Sequence, residues 1–150
     1  MYEIKSILVP IDFSECSRAA LDHALSIADR YGAKVTALHV AEVMPESLNL
    51  RLTTEQGVST FGEYAIANGK QELQVFLEQF SPGRVSSIGK IVEAGRPRDS
   101  ILRLAKDNTF DLIVMGTHGR TGRAHALAGS VTESVVRSSS SPVLTVREPR

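Results

Sequence analysis

The sequence has a single cysteine, no tryptophan and no excess of either charge. Because Cys16 has no second cysteine to pair with, a disulfide within the chain is excluded, which is typical of proteins from a reducing compartment. The formal net charge at pH 7 is zero, from 17 basic and 17 acidic residues. Nucleic acids and anionic membranes are usually bound through basic patches, so the balanced charge argues against both as partners.

Long hydrophobic runs are missing as well. No apolar stretch approaches the roughly 18 residues that a membrane-spanning helix needs, and the start of the chain, "MYEIKSILVP", does not resemble an export signal. The four histidines, which are His23, His39, His118 and His125, show no spacing typical of a metal site. We therefore expect a soluble, cytoplasmic protein without a dedicated metal site.

What the sequence does contain is an alternation of strand-like and helix-like segments. Residues 1–150 have the length of one domain. Apolar runs rich in β-branched residues predict strands at 4–11, 34–40, 86–95, 110–116 and 142–147. Amphipathic stretches between them predict helices from a cap at Ser14 to Gly32, and at 63–80, 96–109 and 128–140.

This alternation is typical of an α/β fold, in which an open parallel sheet carries helices on both faces. Ligands of such folds bind beyond the carboxyl ends of the strands, where the strand order reverses. At that edge we expect Pro10 to Ser14, the residues from Val40 onward, and the glycine-rich stretch that follows strand 110–116.

One connection interrupts the alternation. Residues 41–61, "AEVMPESLNLRLTTEQGVSTF", have weak periodicity and are far longer than the usual connection of about 4 to 6 residues. Long connections often have functional roles. We expect a lid, an interface arm or a partly disordered segment here.

The glycine-rich stretch has the pattern of a phosphate-binding loop. Gly116 and Gly119 follow a predicted strand, and nine residues later Gly129 and Ser130 begin a predicted helix. Glycines adopt positive φ angles readily, and their lack of a side chain lets backbone N–H groups approach an anion. A helix N-terminus adds unpaired N–H donors and the positive end of the helix dipole. The hydroxyls of Ser130 and Thr132 are further candidate donors to phosphate. Turn formation alone is the alternative explanation for the glycines.

Asp12 and His118 are the candidate polar groups beside this loop. Asp12 could hold a ribose hydroxyl or a phosphate-bound cation, or could only cap the first helix. His118 lies between two glycines, but the sequence around it shows no partner carboxylate or nucleophile for a general base. The segment also lacks the lysine of the G-x-x-x-x-G-K-[ST] loop. We therefore expect a site that holds a nucleotide with little or no hydrolysis, and not an enzyme.

The spacing and the surrounding sequence resemble the ATP-binding type of the universal stress protein family. The motif of that family, G-x2-G-x9-G-[S/T], fits Gly116, Gly119, Gly129 and Ser130. Further similar segments are "ILVPIDFS", "LHV", "DLIVMGTHGRTG", "GSVTESVVR" and "SPVLTV". The resemblance therefore covers nearly the whole chain.

The resemblance implies a five-stranded sheet with strand order 3-2-1-4-5, ATP as the ligand and a homodimer through the last strand. It also implies adenine near Asp12 and Val40 and phosphates on the glycine loop and the following helix, with Mg²⁺ or Mn²⁺ accompanying the triphosphate in some members. The binding residues that we expect are Pro10, Asp12, Val40, Met115, Gly116, Gly119, Arg120, Gly129, Ser130, Val131 and Thr132.

The predicted function is an ATP-binding regulatory or stress-response module that acts on an unidentified protein partner. Two alternatives stay open at this point. One is a slow metal-dependent nucleotide hydrolase that uses Asp12 to hold the metal. The other is a dimeric scaffold that binds no nucleotide, in which the glycines only make turns.

Overall fold

The computed structural model describes residues 1–81, 88–107, 110–119 and 128–148. Its strands are β1 (Ser6–Ile11), β2 (Lys34–Glu42), β3 (Arg51–Thr54), β4 (Gly57–Thr60), β5 (Gly89–Gly95), β6 (Leu112–Gly116) and β7 (Val143–Val146). Its helices are α1 (Glu15–Tyr31), α2 (Phe61–Leu77), α3 (Pro97–Asp107) and α4 (Ser130–Ser138), with a short 3-10 helix at Pro45–Ser47.

The main sheet has five parallel strands in the order β5-β2-β1-β6-β7. When these five strands are numbered by themselves, the order is 3-2-1-4-5, which confirms the predicted topology. β1 and β6 lie inside the sheet, where both faces are covered, and this explains why their sequences are almost continuously apolar. From β1 the chain adds β2 and β5 on one side, and it then returns to add β6 and β7 on the other side of β1. The strand order therefore reverses between β1 and β6, and the switch point lies beside the carboxyl ends of these two strands.

Helices cover both faces of the sheet, as predicted, and each face has its own apolar core. On one face Val9 of β1 belongs to a core shared with residues of α1 and α2, including Phe76. On the other face Leu8 belongs to a core with Leu104 of α3 and Val135 of α4. Successive residues of β1 therefore support opposite helix layers, as the two-residue period of a strand requires.

The start and the end of α1 follow the local signals in the sequence. The side chain of Ser14 accepts a hydrogen bond from the backbone N–H of Ser17, and Gly32 ends the helix in the left-handed region at φ 67°. Both predictions are confirmed. α2 begins two residues earlier than predicted, because Thr60 and Glu63 form a reciprocal capping box that allows Phe61 to be the first helical residue.

Of the three expectations for residues 41–61, the partly disordered segment is wrong, because this connection contains regular elements. β2 continues to Glu42, and after the 3-10 helix the strands β3 and β4 form an antiparallel hairpin whose last pair is Thr54 with Gly57. The backbone N–H of Phe61 donates to the carbonyl of Leu50, which fastens the hairpin to the start of α2. Whether this segment acts as a lid or an interface arm stays a prediction.

Candidate functional site

A cavity of about 650 Å³ lies at the carboxyl ends of β1, β2 and β6. This is the edge at which ligands of open α/β sheets bind, and the volume is typical of small-molecule sites. Of the predicted binding residues, those that line it are Pro10, Asp12, Val40, Met115, Gly116, Gly119, Gly129, Ser130, Val131 and Thr132. Arg120 lies outside the described residues. The structure therefore gathers ten of the eleven predicted residues around one cavity.

Asp12 follows the last residue of β1 and lines the cavity. Its Oδ1 accepts hydrogen bonds from the backbone N–H of Ser14, at 3.1 Å, and from the Ser14 hydroxyl. Its Oδ2 lies so close to Gly119 that a Cβ on Gly119 would be only 2.7 Å from that oxygen. Asp12 thus supports the cap of α1 and also faces the glycine loop, so the two roles considered for it from sequence coexist.

Gly116 is required by the packing between β6 and α1. A Cβ on Gly116 would lie 2.6 Å from the Cβ of Cys16 and 2.9 Å from its carbonyl carbon. Real Cβ atoms essentially never approach this closely, and the obstacle includes backbone that cannot move aside. This motif glycine therefore lets the end of β6 pass directly under the first turn of α1, which brings the glycine loop beside Asp12.

Gly129 is not required by the packing of the described chain. It is the N-cap of α4 at φ −71°, and its N–H donates to the carbonyl of Thr117 across 2.6 Å. A Cβ on Gly129 would make only ordinary contacts, the nearest at 3.5 Å from that carbonyl oxygen. The absence of a side chain here leaves space at the N-terminus of α4, which a larger residue would fill.

The prediction that the motif glycines adopt positive φ angles is wrong for the three that the structure describes. Among the described glycines, positive φ occurs at Gly32, Gly57 and Gly95, which are all outside the motif. The motif glycines are instead sites where the backbone passes close to another group or leaves room beside the cavity. Space, and not an unusual conformation, is what the glycines provide.

The N-terminus of α4 opens into the cavity. The first N–H groups of any α-helix lack partners within the helix, and they carry the positive end of its dipole. Ser130 and Val131 both line the cavity at this end of α4, and Ser130 is exposed. The arrangement favours an anion, because backbone donors and the dipole act on the same space.

The hydroxyl of Thr132, predicted to donate to phosphate, has another partner in the structure. Its side chain is buried, with 4% exposure, and its hydroxyl donates to the carbonyl of Gly116 across 2.8 Å. The hydroxyl proton is therefore engaged in tying α4 to β6. The expected phosphate contact through this hydroxyl is therefore wrong, and the other hydroxyl predicted to contact phosphate, that of Ser130, lies on an exposed residue that lines the cavity.

One wall of the cavity comes from α2 and was not predicted from sequence. Phe61, Tyr64, Asn68 and Glu72 all line the cavity. The spacing of the last three residues places them on a single face of the helix, one turn apart. The sequence signal was present, but the stripe is mostly polar, and a polar stripe on a helix usually faces solvent.

Three carboxylates line the cavity, those of Asp12, Glu42 and Glu72, and of these Asp12 is the one that lies beside Gly119. Within the described ranges, no group of three or more histidine, cysteine, aspartate or glutamate side chains is placed to hold a metal ion. A Mg²⁺ or Mn²⁺ ion next to Asp12 would therefore complete its coordination with phosphate oxygens and water, as Mg²⁺ commonly does. An oxygen donor such as Asp12 fits either ion.

Among the helices that the structure describes, none is both long enough and apolar enough to cross a membrane.

His118, considered from sequence as a general base, places its Nδ1 3.1 Å from the hydroxyl oxygen of the neighbouring Thr117.

Comparison of the sequence with known families gives a match along almost the full length. The sequence model of the universal stress protein family matches residues 3–147. Universal stress protein MJ0531 of Methanocaldococcus jannaschii is 34% identical over 97% of this chain and 84% of its own length. Universal stress protein MJ0577 of the same organism is 30% identical over 95% of this chain and 94% of its own length.

Solved structures share the fold. Universal stress protein UspA from Lactobacillus plantarum has a TM-score of 0.75 at 24% identity, with 97% of this chain and 99% of that chain covered. A universal stress protein in complex with cAMP has a TM-score of 0.69 at 24% identity over 97% and 98% of the two chains. An Arabidopsis thaliana family protein with AMP bound has a TM-score of 0.64 at 19% identity over 97% and 92%.

Proposed function

The chain belongs to the universal stress protein family, and from this premise we propose that it binds ATP in the cavity at the carboxyl edge of its sheet and acts as a nucleotide-dependent regulatory module. The observation that carries the proposal is the open N-terminus of α4 beside two motif glycines. Gly129 leaves room there, and Gly119 brings its backbone next to Asp12. Backbone N–H groups and the helix dipole would together hold the phosphates.

Adenine would occupy the apolar part of the cavity. Pro10, Val40 and Met115 line it, and Asp12 adds a carboxylate that can accept a hydrogen bond from a ribose hydroxyl or an amino group. Two structures of the same fold have AMP and cAMP bound, which supports an adenine nucleotide as the ligand class. Mg²⁺ or Mn²⁺ would enter with the triphosphate and contact Asp12.

We expect this site to bind the nucleotide without turning it over at a useful rate. The described lining residues hold one carboxylate next to the glycine loop, and the loop lacks a P-loop lysine. The nucleotide would then change the conformation or the partner affinity of the domain, through a protein partner in the cytoplasm that stays to be identified. Metal-dependent release of ADP from ATP, lost in Asp12→Ala, would instead support the hydrolase alternative.

A homodimer through β7 is part of the same proposal. β7 is an edge strand of the main sheet, and it pairs with β6 on its inner side. Leu144 on β7 is 38% exposed, and the edge offers backbone groups to a second strand. Twofold pairing would cover both edges at once, because the same surface is used by each protomer.

Isothermal titration calorimetry with ATP and Mg²⁺ tests the binding site. The unaltered, nucleotide-stripped chain should bind with a stoichiometry of one nucleotide per chain. Gly129→Trp should abolish binding without loss of fold, since an indole at this position fills the space at the N-terminus of α4. Lys70→Trp is the matched control, because Lys70 is exposed on α2 and does not line the cavity.

Retained affinity in Gly129→Trp would contradict the assignment of the site. Absence of binding by the unaltered chain, together with an unchanged melting temperature in excess nucleotide, would favour the scaffold without nucleotide. A true ligand at about 100 times its Kd stabilises the folded state by roughly 2.7 kcal/mol, so the shift is measurable.

A further inference from the structure

The turn that presents Asp12 has an unusual backbone. Phe13, the next residue, has φ 66°, the left-handed region, and it is the only described residue other than glycine with a positive φ. A bulky side chain rarely adopts this conformation, and such outliers persist only where the surrounding structure fixes them. The strain at Phe13 therefore requires a group that holds the turn in place.

His39 on β2 contacts this turn on both sides of Asp12. Its side chain is buried, with 6% exposure, and its Nδ1 lies 2.8 Å from the carbonyl oxygen of Ile11 at the end of β1. Since a carbonyl oxygen only accepts hydrogen bonds, Nδ1 carries the proton and donates. His39 thereby fixes the residue that comes immediately before Asp12.

His39 also fixes the residue that follows Asp12. The rings of Phe13 and His39 have centroids 4.4 Å apart, and the ring of Phe13 meets Phe76 of α2 edge-on, with centroids 5.6 Å apart. On another side the backbone of α2 closes in, because a Cβ on Gly69 would stand 3.0 Å from Cδ2 of His39. The imidazole is therefore packed between the Asp12 turn and the helix that forms one wall of the cavity.

We propose that His39 and Phe13 are positioning residues for nucleotide binding: together they hold the turn Ile11–Asp12–Phe13 so that the Asp12 carboxylate faces Gly119 across the floor of the cavity. The inference rests on the proposed function, because it assigns how Asp12 is held within that site. His39 also lines the cavity, so the inference is distinguished from a direct contact with the ligand, and from a histidine that only fills the core, by an effect on binding that depends on Asp12.

The test is a double-mutant cycle on the affinity for ATP with Mg²⁺, measured by calorimetry. His39→Phe keeps an aromatic ring but removes the donor to Ile11. We expect about tenfold weaker binding, which corresponds to about 1.4 kcal/mol. His39→Asn keeps an N–H donor and should recover part of this loss. In an Asp12→Asn background, His39→Phe should cause no further loss, because the carboxylate that it positions is already gone.

A second variant covers the possibility that His39→Phe folds poorly. Phe13→Gly fits φ 66° without strain but removes the ring that packs on His39. We expect it to weaken binding by a similar factor, again only when Asp12 is present. The matched control is His23→Phe, because Nδ1 of His23 also bonds a backbone carbonyl, that of Ala19 at 2.8 Å, on an exposed part of α1 away from the cavity.

Three results decide the matter. Weaker binding in His39→Phe and Phe13→Gly that disappears in the Asp12→Asn background, with His23→Phe unchanged, supports the inference. Unchanged binding in both variants, or an equal loss with and without the Asp12 carboxylate, overturns it while the proposed function stands. Failure of the unaltered chain to bind any ATP overturns the proposed function, and the inference with it.

Discussion

The backbone of Gly116 passes so close to Cys16 that a Cβ on Gly116 would lie 2.6 Å from the Cβ of Cys16, whereas a Cβ on Gly129 would meet nothing in the described chain nearer than 3.5 Å. Two glycines of one motif therefore have different reasons to be glycine. The first is needed by the fold, and the second leaves room for a ligand. A pair of matched alanine variants separates these roles.

Gly116→Ala should lower the free energy of unfolding by about 1–3 kcal/mol, as expected when an extra methyl group is forced into a packed contact. Gly129→Ala should lower that free energy by only about 0.5 kcal/mol, the usual difference between glycine and alanine at an N-cap, and should weaken ATP binding. Urea denaturation and calorimetry on the same preparations measure both quantities. Equal stability losses in the two variants would show that Gly129 is also a packing residue.

The hydroxyl of Thr132 offers a second stability test. It is buried and donates to the carbonyl of Gly116, so Thr132→Val should leave that carbonyl without its partner. We expect a loss of about 1 kcal/mol, the usual net value of a neutral hydrogen bond, and Thr132→Ser should retain most of it. If Thr132→Val keeps full stability and loses only nucleotide affinity, the hydroxyl serves the ligand and not the fold.

The carboxylate of Asp111 lies just before β6, at the edge of the sheet opposite the cavity, and it should make the free energy of unfolding depend on pH. Its Oδ2 accepts from the backbone N–H groups of Lys5 and Ser6, each at 2.9 Å, and from the Ser6 hydroxyl at 3.0 Å. The bond from the Lys5 backbone is the main cause that lowers the pKa of this carboxyl in the folded chain. The stabilisation of the folded state by the Asp111 carboxylate is therefore fully present above the pKa of this group in the unfolded chain, about 3.9. It is lost as the pH falls through the pKa of the group in the folded chain, which is lower.

Asp111→Asn, which retains an acceptor oxygen but not the charge, should be less stable than the unaltered chain at pH 7. The difference in free energy of unfolding should shrink as the pH falls below about 4. Urea denaturation at a series of pH values measures it. A difference that is constant over that range would mean that the charge of Asp111 contributes nothing.

Dimerisation through β7 predicts the effect of one exposed side chain. Leu144→Lys places a charge at the proposed twofold contact, where two copies would bring like charges together. Light scattering should then report a monomer, against a dimer for the unaltered chain. Val75→Lys is the control, because Val75 is also aliphatic, lies on α2 and is more exposed than Leu144, at 56% against 38%. A dimer that survives Leu144→Lys, or a monomer before any change, would count against this interface.

The main sheet could be predicted from sequence because its inner strands are largely apolar and alternate along the chain with amphipathic helices. The β3–β4 hairpin could not. Its strands are four residues each, largely polar and half exposed, so no face of them gives a clear hydrophobic pattern. The chain turns between them at Gly57, whose φ of 119° glycine adopts readily, but a single glycine in a polar segment does not by itself predict a hairpin.

The same distinction applies to the candidate site. Spacing alone identified Gly119 and Gly129, because a motif within one segment is visible in sequence. The strained turn at Phe13 depends on His39, which donates to a residue 28 positions away, and such a contact is created only by the pairing of β1 with β2. The burial of the Thr132 hydroxyl against β6 was hidden for the same reason.

The most direct test of the central claim is an NMR titration of the ¹⁵N-labelled chain with ATP and Mg²⁺, in which each backbone amide reports its own environment. The account predicts saturable shifts centred on the amides of Gly119 and of Gly129 to Thr132 at the N-terminus of α4, with smaller shifts at Asp12 and Val40. Saturable shifts confined to other parts of the chain, or no shifts at millimolar ATP, would contradict it.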